Sequence, residues 1–245
     1  MTDASLVLTL DASTPQCVLA LGRIEGTTHT LLATDIAAAR GRQASAALSQ
    51  RLPSLLREVG LEPSDLAAVG CGVGPGMFTG VRVAIATAKG IALGLGVPAI
   101  GVSTLAAVAA TPLGPEAPSL RLALLDARRA EVYAGLYRVD ARGVIRQQGD
   151  VCAPLEQVLR TLEEPVAAVG PGVEPYAETL GAHARVATLA PAPGPSSEGL
   201  WAATASAWPE RTEAATLAAV YLRQSYAELG LNPPKRPFVK SPFVD

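Results

Sequence analysis

The sequence is poor in aromatic residues and in side chains that bind metals. Only 4% of its 245 residues are aromatic, and His29 and His183 are its two histidines. They lie far apart and outside any HxxH or HxxxH pair, so the sequence offers no zinc site. Cys17, Cys71 and Cys152 are odd in number and lack CxxC spacing, which argues against a disulfide framework and fits a reducing cytoplasm.

The sequence also lacks a basic excess and a recognisable leader. Its formal net charge is -2, which argues against a protein that grips nucleic acid by itself, because phosphate contacts need clustered Lys and Arg. The N-terminus has no basic region followed by a long apolar run. The apolar stretch Gly74–Gly96 is interrupted by Arg82 and Lys89. We therefore expect neither a signal peptide nor a membrane span.

Gly74–Gly96 is the most distinctive stretch of the chain. Its glycine- and proline-containing opening predicts a turn, followed by a helix with Thr79 as its cap. Small residues then recur every fourth position, at Gly80, Ala84, Ala88, Ala92 and Gly96. Positions four apart share one helix face, so this face lets another backbone come close. We expect the helix to be covered on more than one side, because it is apolar nearly all round.

The hydrophobic pattern predicts alternating strands and helices in two similar halves. The first half should contain strands over Leu6–Leu10, Cys17–Leu21, Leu31–Ile36, Leu66–Val73 and Pro98–Val102, a helix from Gln43 to about Gly60, and a helix capped by Ser103. The second half should contain strands over Val144–Val151 and Val166–Val169 and helices over Pro154–Leu162, Pro175–Leu180, Ser197–Trp208 and Ala214–Ala227, although Val220, Tyr221 and Leu222 could equally be extended.

A strand, a turn and a returning strand occur twice at a constant offset. Leu8–Leu21 reads LTLDASTPQCVLAL and Ala123–Leu136 reads ALLDARRAEVYAGL. Proline-rich Thr111–Ser119 lies between the two units and is the best boundary in the chain. We therefore expect an N-terminal lobe over 1–112 and a C-terminal lobe over 113–245.

The residues at the two turns could serve a phosphate-binding cleft. Asp11 and Asp126 could hold a magnesium-bound phosphate between two lobes. However, Arg128 and Arg129 are bulky where close approach of phosphate favours small residues, and an ion pair is their commoner use. The Gly74 loop matches neither GxGxxG nor the Walker A motif, so we favour a structural turn over a nucleotide cradle.

Three segments within the first 137 residues closely resemble the bacterial TsaB (YeaZ) family of tRNA threonylcarbamoyladenosine biosynthesis proteins. They read LTLDASTPQCVLAL, GPGMFTGVRVAIATAKGIALGLGVPAIGVSTL and LLDARRAEVYAGLY. In addition, VYLR at Val220–Arg223 resembles the family's PVYLR element, with Ala219 in the place of proline. The resemblance implies an α/β fold of the two-lobed, actin-like or sugar-kinase-like class (ribonuclease H-like), with duplicated βββαβα lobes.

The resemblance also implies a non-catalytic subunit without metal or cofactor. The transferase paralogue of this family, TsaD, carries paired metal-binding histidines in a stretch that corresponds to Ala38–Leu48, which has no histidine here. The nearest counterpart of the adenosine motif is VGPG at Val169–Gly172. The turns would then be remnants of a nucleotide cleft, comprising Asp11, Ser13, Thr14, Asp126 and Arg128.

The resemblance implies three partners, namely TsaD, the ATPase TsaE and a second copy of the chain. It implies that tRNA is bound only within the complex. It also implies a cytoplasmic protein that does not bind membranes. Family members associate through helices that correspond to Ala44–Val59 and Thr79–Leu95. We expect a four-helix contact that includes Leu48, Leu52, Leu55, Gly80, Val81, Ala84, Ile85, Thr87, Ala88 and Ile91. An autonomous ATP-dependent small-molecule kinase of the same fold is the alternative function. A peptidase is remote, because no nucleophile or metal set is recognisable.

Overall fold

The computed structural model describes residues 4–39 and 42–223, which form two sheets of mixed strands with helices packed against them. The first sheet has the strand order β3-β2-β1-β4-β5. Its strands are β1 (Ser5–Asp11), β2 (Gln16–Glu25), β3 (Thr28–Ala38), β4 (Leu66–Gly72) and β5 (Ala99–Val102).

The second sheet has the strand order β11-β10-β6-β7-β8, and β9 pairs with β7 beside β8. Its strands are β6 (Leu120–Arg128), β7 (Glu131–Asp140), β8 (Gly143–Arg146), β9 (Val151–Pro154), β10 (Val166–Gly170) and β11 (Val186–Pro191). Each sheet is built alike, because its first strand pairs antiparallel with the second and parallel with the strand after the helix. The predicted two-lobed α/β fold is confirmed.

Six α-helices connect or cover these sheets in the described part of the chain. They are α1 (Arg42–Glu58), α2 (Phe78–Leu95), α3 (Thr104–Ala109), α4 (Leu155–Leu159), α5 (Ala177–Gly181) and α6 (Ser197–Ser206). Helix α6 lies after the second sheet in sequence but packs against β2 of the first sheet and against α3. The division at residue 112 stays a prediction.

The small-residue face of α2 packs against the chain's own first sheet. Ala84, Ala88 and Ala92 are fully buried, and the helix contacts β4 and β1. At Gly80 an added Cβ would overlap the carbonyl oxygen of Ala12. The missing side chains therefore let the helix backbone approach the sheet closely.

Helix α2 has the length and mean hydropathy of a membrane span, and one third of that stretch is buried. Core helices of soluble proteins meet the same two criteria, so length and composition are only weak evidence that α2 spans a membrane.

Several predicted boundaries are wrong. Helix α2 begins at Phe78 with Met77 as its N-cap and without a side-chain cap from Thr79. Its start depends on tertiary contact, because the Met77 amide donates to the carbonyl of Ser13 at 2.7 Å. The predicted strand Val144–Val151 is two strands, β8 and β9, since these pair with different parts of β7.

The end of the chain also differs from the prediction. Strand β11 was not predicted, and its residues alternate between half-buried and exposed. Only Ala214–Thr216 of the predicted helix Ala214–Ala227 is helical, as a single 3-10 turn, and 217–223 has no regular structure. The Val220 amide instead donates to the carbonyl of Val73 at 2.8 Å. The rest of that predicted helix lies outside the described residues.

Replacing Ala88 by leucine tests the orientation of α2. Because Ala88 is fully buried against the sheet, Ala88→Leu should lower the free energy of unfolding by about 1–3 kcal/mol through overpacking. Ala86 is exposed on the same helix, so Ala86→Leu should change it by less than about 0.5 kcal/mol. Urea unfolding followed by circular dichroism measures both, and equal losses would contradict this orientation.

Candidate functional site

The turn after β1 is buried within the chain. Ala12, Ser13 and Thr14 are each at most 2% exposed, and Asp11 is fully buried. One carboxylate oxygen of Asp11 accepts hydrogen bonds from the Ser13 amide at 2.9 Å and the Ser13 hydroxyl at 2.8 Å. The other lies 3.4 Å from the hydroxyl of Thr104. Burial raises the pKa of Asp11, and the bonds from Ser13 partly oppose this rise.

The glycine-rich loop before α2 fills the space around this turn. An added Cβ at Gly72 would overlap the Asp11 carboxylate, and one at Gly76 would overlap the Ser13 carbonyl. The amide of Thr104 closes the loop by donating to the carbonyl of Gly74 at 2.9 Å. The absence of side chains at these glycines therefore lets the chain pack closely against the turn after β1.

Thr14 is covered from another direction by the loop that precedes α6. An added Cβ at Gly194 would come within 3.1 Å of the Thr14 Cβ. The Thr14 hydroxyl is buried and has no hydrogen-bond partner within the described structure. Three of the five predicted cleft residues, namely Asp11, Ser13 and Thr14, therefore lie in a closed environment.

The other two predicted cleft residues, Asp126 and Arg128, are exposed at the C-terminal end of β6, where the chain turns into β7. The Arg128 amide donates to the Asp126 carboxylate at 2.7 Å. Arg128, Arg129 and Ala130 all have left-handed backbone angles, with φ of 64°, 56° and 60°. Such angles are costly for residues other than glycine, so this turn carries strain.

A strap formed by residues 217–223 connects this exposed turn to the first sheet. Its Val220 amide bonds to Val73, as described above. At its far end the Arg223 guanidinium forms an ion pair with Glu131 and donates to the Arg128 carbonyl at 3.3 Å. The strap thus joins the end of β4 to the turn between β6 and β7, which the sequence did not predict.

A second polar connection between the two sheets runs from the N-terminus of α3. The Ser103 hydroxyl accepts from the Leu105 amide, as predicted for a cap, and donates to the Asp150 carboxylate at 2.6 Å. The Tyr137 hydroxyl donates to the same carboxylate at 2.5 Å. Burial and the nearby Asp150 charge raise the pKa of Tyr137. Because Tyr137 and Asp150 belong to the second sheet region, these bonds tie it to α3.

Two cavities lie beside the second sheet. One of about 270 Å³ is lined by Gly170, Pro171, Glu174, Pro191, Ala192 and Pro193, and therefore touches the VGPG segment. Another, of about 410 Å³, lies between β7, β9 and α4, with Leu122, Leu136, Val158 and Leu162 in its lining. Over residues 4–39 and 42–223, no three His, Cys, Asp or Glu side chains are grouped to hold a metal ion.

Most residues of the predicted partner contact belong to the chain's own core. Thr87 and Ile91 are half-buried, and the rest are buried, namely Leu48, Leu52, Leu55, Gly80, Val81, Ala84, Ile85 and Ala88. Helices α1 and α2 do contact each other, so these side chains join the two helices to the sheet.

The outward face of α2 carries a different set of residues. Phe78 is 56% exposed and Leu93 is 60% exposed. Ala86, Gly90 and Gly94 are exposed between and beside them, and an added Cβ at Gly90 or Gly94 meets no described atom within 4 Å. This face is therefore open to another molecule.

Comparisons with known proteins agree with this architecture. A family model described as "TsaD: tRNA N6-adenosine threonylcarbamoyltransferase" matches residues 32–222. The solved structure of YeaZ from Pseudomonas aeruginosa superposes with a TM-score of 0.77 at 30% identity, over 89% of this chain and 100% of that chain.

Named relatives give the same family. The tRNA threonylcarbamoyladenosine biosynthesis protein TsaB of Escherichia coli (strain K12) is 35% identical over 138 residues, or 56% of this chain and 57% of that protein. The protein of the same name from Haemophilus influenzae (strain ATCC 51907 / DSM 11121 / KW20 / Rd) is 30% identical over 183 residues, or 70% of this chain and 74% of that protein. The first of these matches thus spans little more than half of the relative's length. The chain belongs to the TsaB (YeaZ) family.

Proposed function

We propose that this chain is the non-catalytic subunit that binds the threonylcarbamoyl transferase TsaD and, with the ATPase TsaE, supports N6-threonylcarbamoylation of the adenosine beside the tRNA anticodon. The names of the TsaB relatives support a role in this pathway. Such a role places the protein in the cytoplasm, with tRNA bound only in the assembled complex.

The buried turn after β1 is the observation that carries the non-catalytic part of the proposal. A kinase of this fold needs its first turn open to a phosphate and its metal. Here the Asp11 carboxylate is fully buried and bonded to Ser13, and Gly76 leaves no room above the Ser13 carbonyl. This geometry argues against the alternative of an autonomous ATP-dependent kinase.

The part of the outward face of α2 from Ala86 to Gly94 is the surface that we assign to the partner. Alanine and glycine at Ala86, Gly90 and Gly94 would allow close approach of a partner helix, and Leu93 would supply apolar contact area. From the sequence we expected part of the small-residue stripe to meet the partner and part to cover the chain's own sheet, with the division between them left open. Ala84 and Ala88 are buried against the sheet. The same outward face can serve TsaD or a second copy of the chain.

Reconstitution tests the function directly. We expect tRNA modification by purified TsaD and TsaE to require addition of this chain, while the chain alone neither hydrolyses ATP nor phosphorylates small molecules. Incorporation of labelled threonine into tRNA measures the first effect, and ATP turnover measures the second. Modification that proceeds at full rate without the chain would overturn the proposal.

Replacing Asp11 by asparagine separates a structural carboxyl group from a catalytic one. If the Asp11 carboxyl group only supports the fold, the Asp11→Asn chain should stimulate tRNA modification at least half as strongly as the wild-type chain does. Burial raises its pKa above the ordinary 3.8, so wild-type stability should fall as pH rises through the raised value. Asparagine does not titrate, so the variant does not lose stability in this way. Its free energy of unfolding, taken relative to that of the wild type, should therefore increase from acid to neutral pH.

Urea unfolding of both proteins between pH 4 and pH 8 measures that difference. A stability difference that stays constant with pH would contradict the structural role, as would an Asp11→Asn chain that folds but gives no stimulation.

A polar substitution at Leu93 tests the partner surface. Because Leu93 is 60% exposed, Leu93→Ser should leave the free energy of unfolding nearly unchanged and weaken binding to TsaD about tenfold. Isothermal calorimetry measures the affinity. Val151 is 44% exposed on β9, so Val151→Ser is a matched control that should bind normally. Unchanged affinity of the Leu93 variant would remove α2's outward face from the contact.

A further inference from the structure

An exposed pair of aromatic rings lies at the start of α2. Phe78 is 56% exposed and Tyr221 is 54% exposed, with ring centroids 5.7 Å apart. The guanidinium of Arg82 lies 3.8 Å from the centroid of the Phe78 ring and donates to the Tyr221 hydroxyl at 3.0 Å. Arg82 thus fixes the two rings in an exposed position, although 139 residues separate it from Tyr221.

The strap leads from this pair to the arginine turn after β6. Arg223 follows Tyr221 by two residues and donates to the carbonyl of Arg128, so the turn lies one arginine side chain from the strap. Arg128 and Arg129 are both exposed. We call Phe78, Arg82, Arg128, Arg129 and Tyr221 the aromatic–arginine patch.

The charge of this region is opposite to that of the whole chain. Arg82, Arg128, Arg129 and Arg223 contribute four positive charges. Asp126 accepts from the Arg128 amide, and Glu131 pairs with Arg223. The four named arginines outnumber these two named carboxylates, although the formal net charge of the chain is -2.

We propose that the aromatic–arginine patch binds unpaired nucleotides of RNA when the complex is assembled. Exposed rings stack on any base, and arginines beside them bind phosphate, which is the chemistry of single-stranded RNA recognition. The patch has too few cations to hold RNA alone, so it adds to the affinity of a larger surface. The inference rests on the proposed function, since it names the substrate contact of that complex.

The tRNA affinity of the complex tests this assignment. Phe78→Leu keeps an apolar side chain but removes the stacking ring, so it should weaken tRNA binding by the TsaD complex about five- to tenfold. Replacing Arg128 and Arg129 together by glutamine should make binding less dependent on salt, because two phosphate contacts are lost. The slope of log affinity against log salt should fall by about 1.4. Fluorescence anisotropy with labelled tRNA at several salt concentrations measures both effects.

Val151→Ser is the matched control, because Val151 lies on β9, outside both the patch and α2, so this variant should leave the tRNA affinity of the complex unchanged. The patch proposal is overturned if the folded Phe78 and arginine variants bind tRNA as the parent chain does. It is also overturned if Phe78→Leu lowers affinity for TsaD instead, because the patch then contacts protein.

If the proposed function is wrong, the parent chain forms no complex with TsaD. This result differs from those that overturn the patch proposal. The patch is then tested on the chain alone, with a single-stranded oligonucleotide at low salt. Weak binding that Phe78→Leu reduces would support the patch, and equal binding by both chains would overturn it.

Discussion

The close approach of the glycine-rich loop to the turn after β1 is the constraint on which the rest of the structure depends. Gly76 and Gly80 leave no side chain between the loop, the start of α2 and the backbone of Ala12 and Ser13, and Gly72 at the end of β4 leaves room for the Asp11 carboxylate. This contact determines where α2 begins and places the small-residue face of the helix against the first sheet. It also encloses the Asp11 carboxylate, whose pKa rises because water is excluded.

One packing arrangement therefore has two consequences for function. The first turn is enclosed by the chain itself. Burying one face of α2 leaves the opposite face, with Leu93 and the adjacent glycines, exposed along the helix. In our proposal the enclosed turn and the partner surface are therefore linked, because α2 takes part in both.

The two sheets are held together by polar contacts whose members come from distant parts of the chain. Ser103, Tyr137 and Asp150 connect α3 to the second sheet region, and Arg223 connects the strap to the turn between β6 and β7. Residue spacing did not indicate these pairs. The strap also brings Tyr221 to Phe78, whereas residue composition left both a helix and an extended segment open for Val220–Leu222.

The sequence by itself determined the α/β class, the duplicated strand, turn and strand unit, most strand positions and the family, because periodicity and motifs are local properties of the chain. It also placed Gly80, Ala84 and Ala88 on one helix face. Only the tertiary structure decided that this face meets the chain's own sheet, that the first turn is closed, and that residues 78, 82 and 221 meet at the surface. These outcomes depend on contacts between segments far apart in sequence, and a helical repeat specifies which residues share a face but not what covers it.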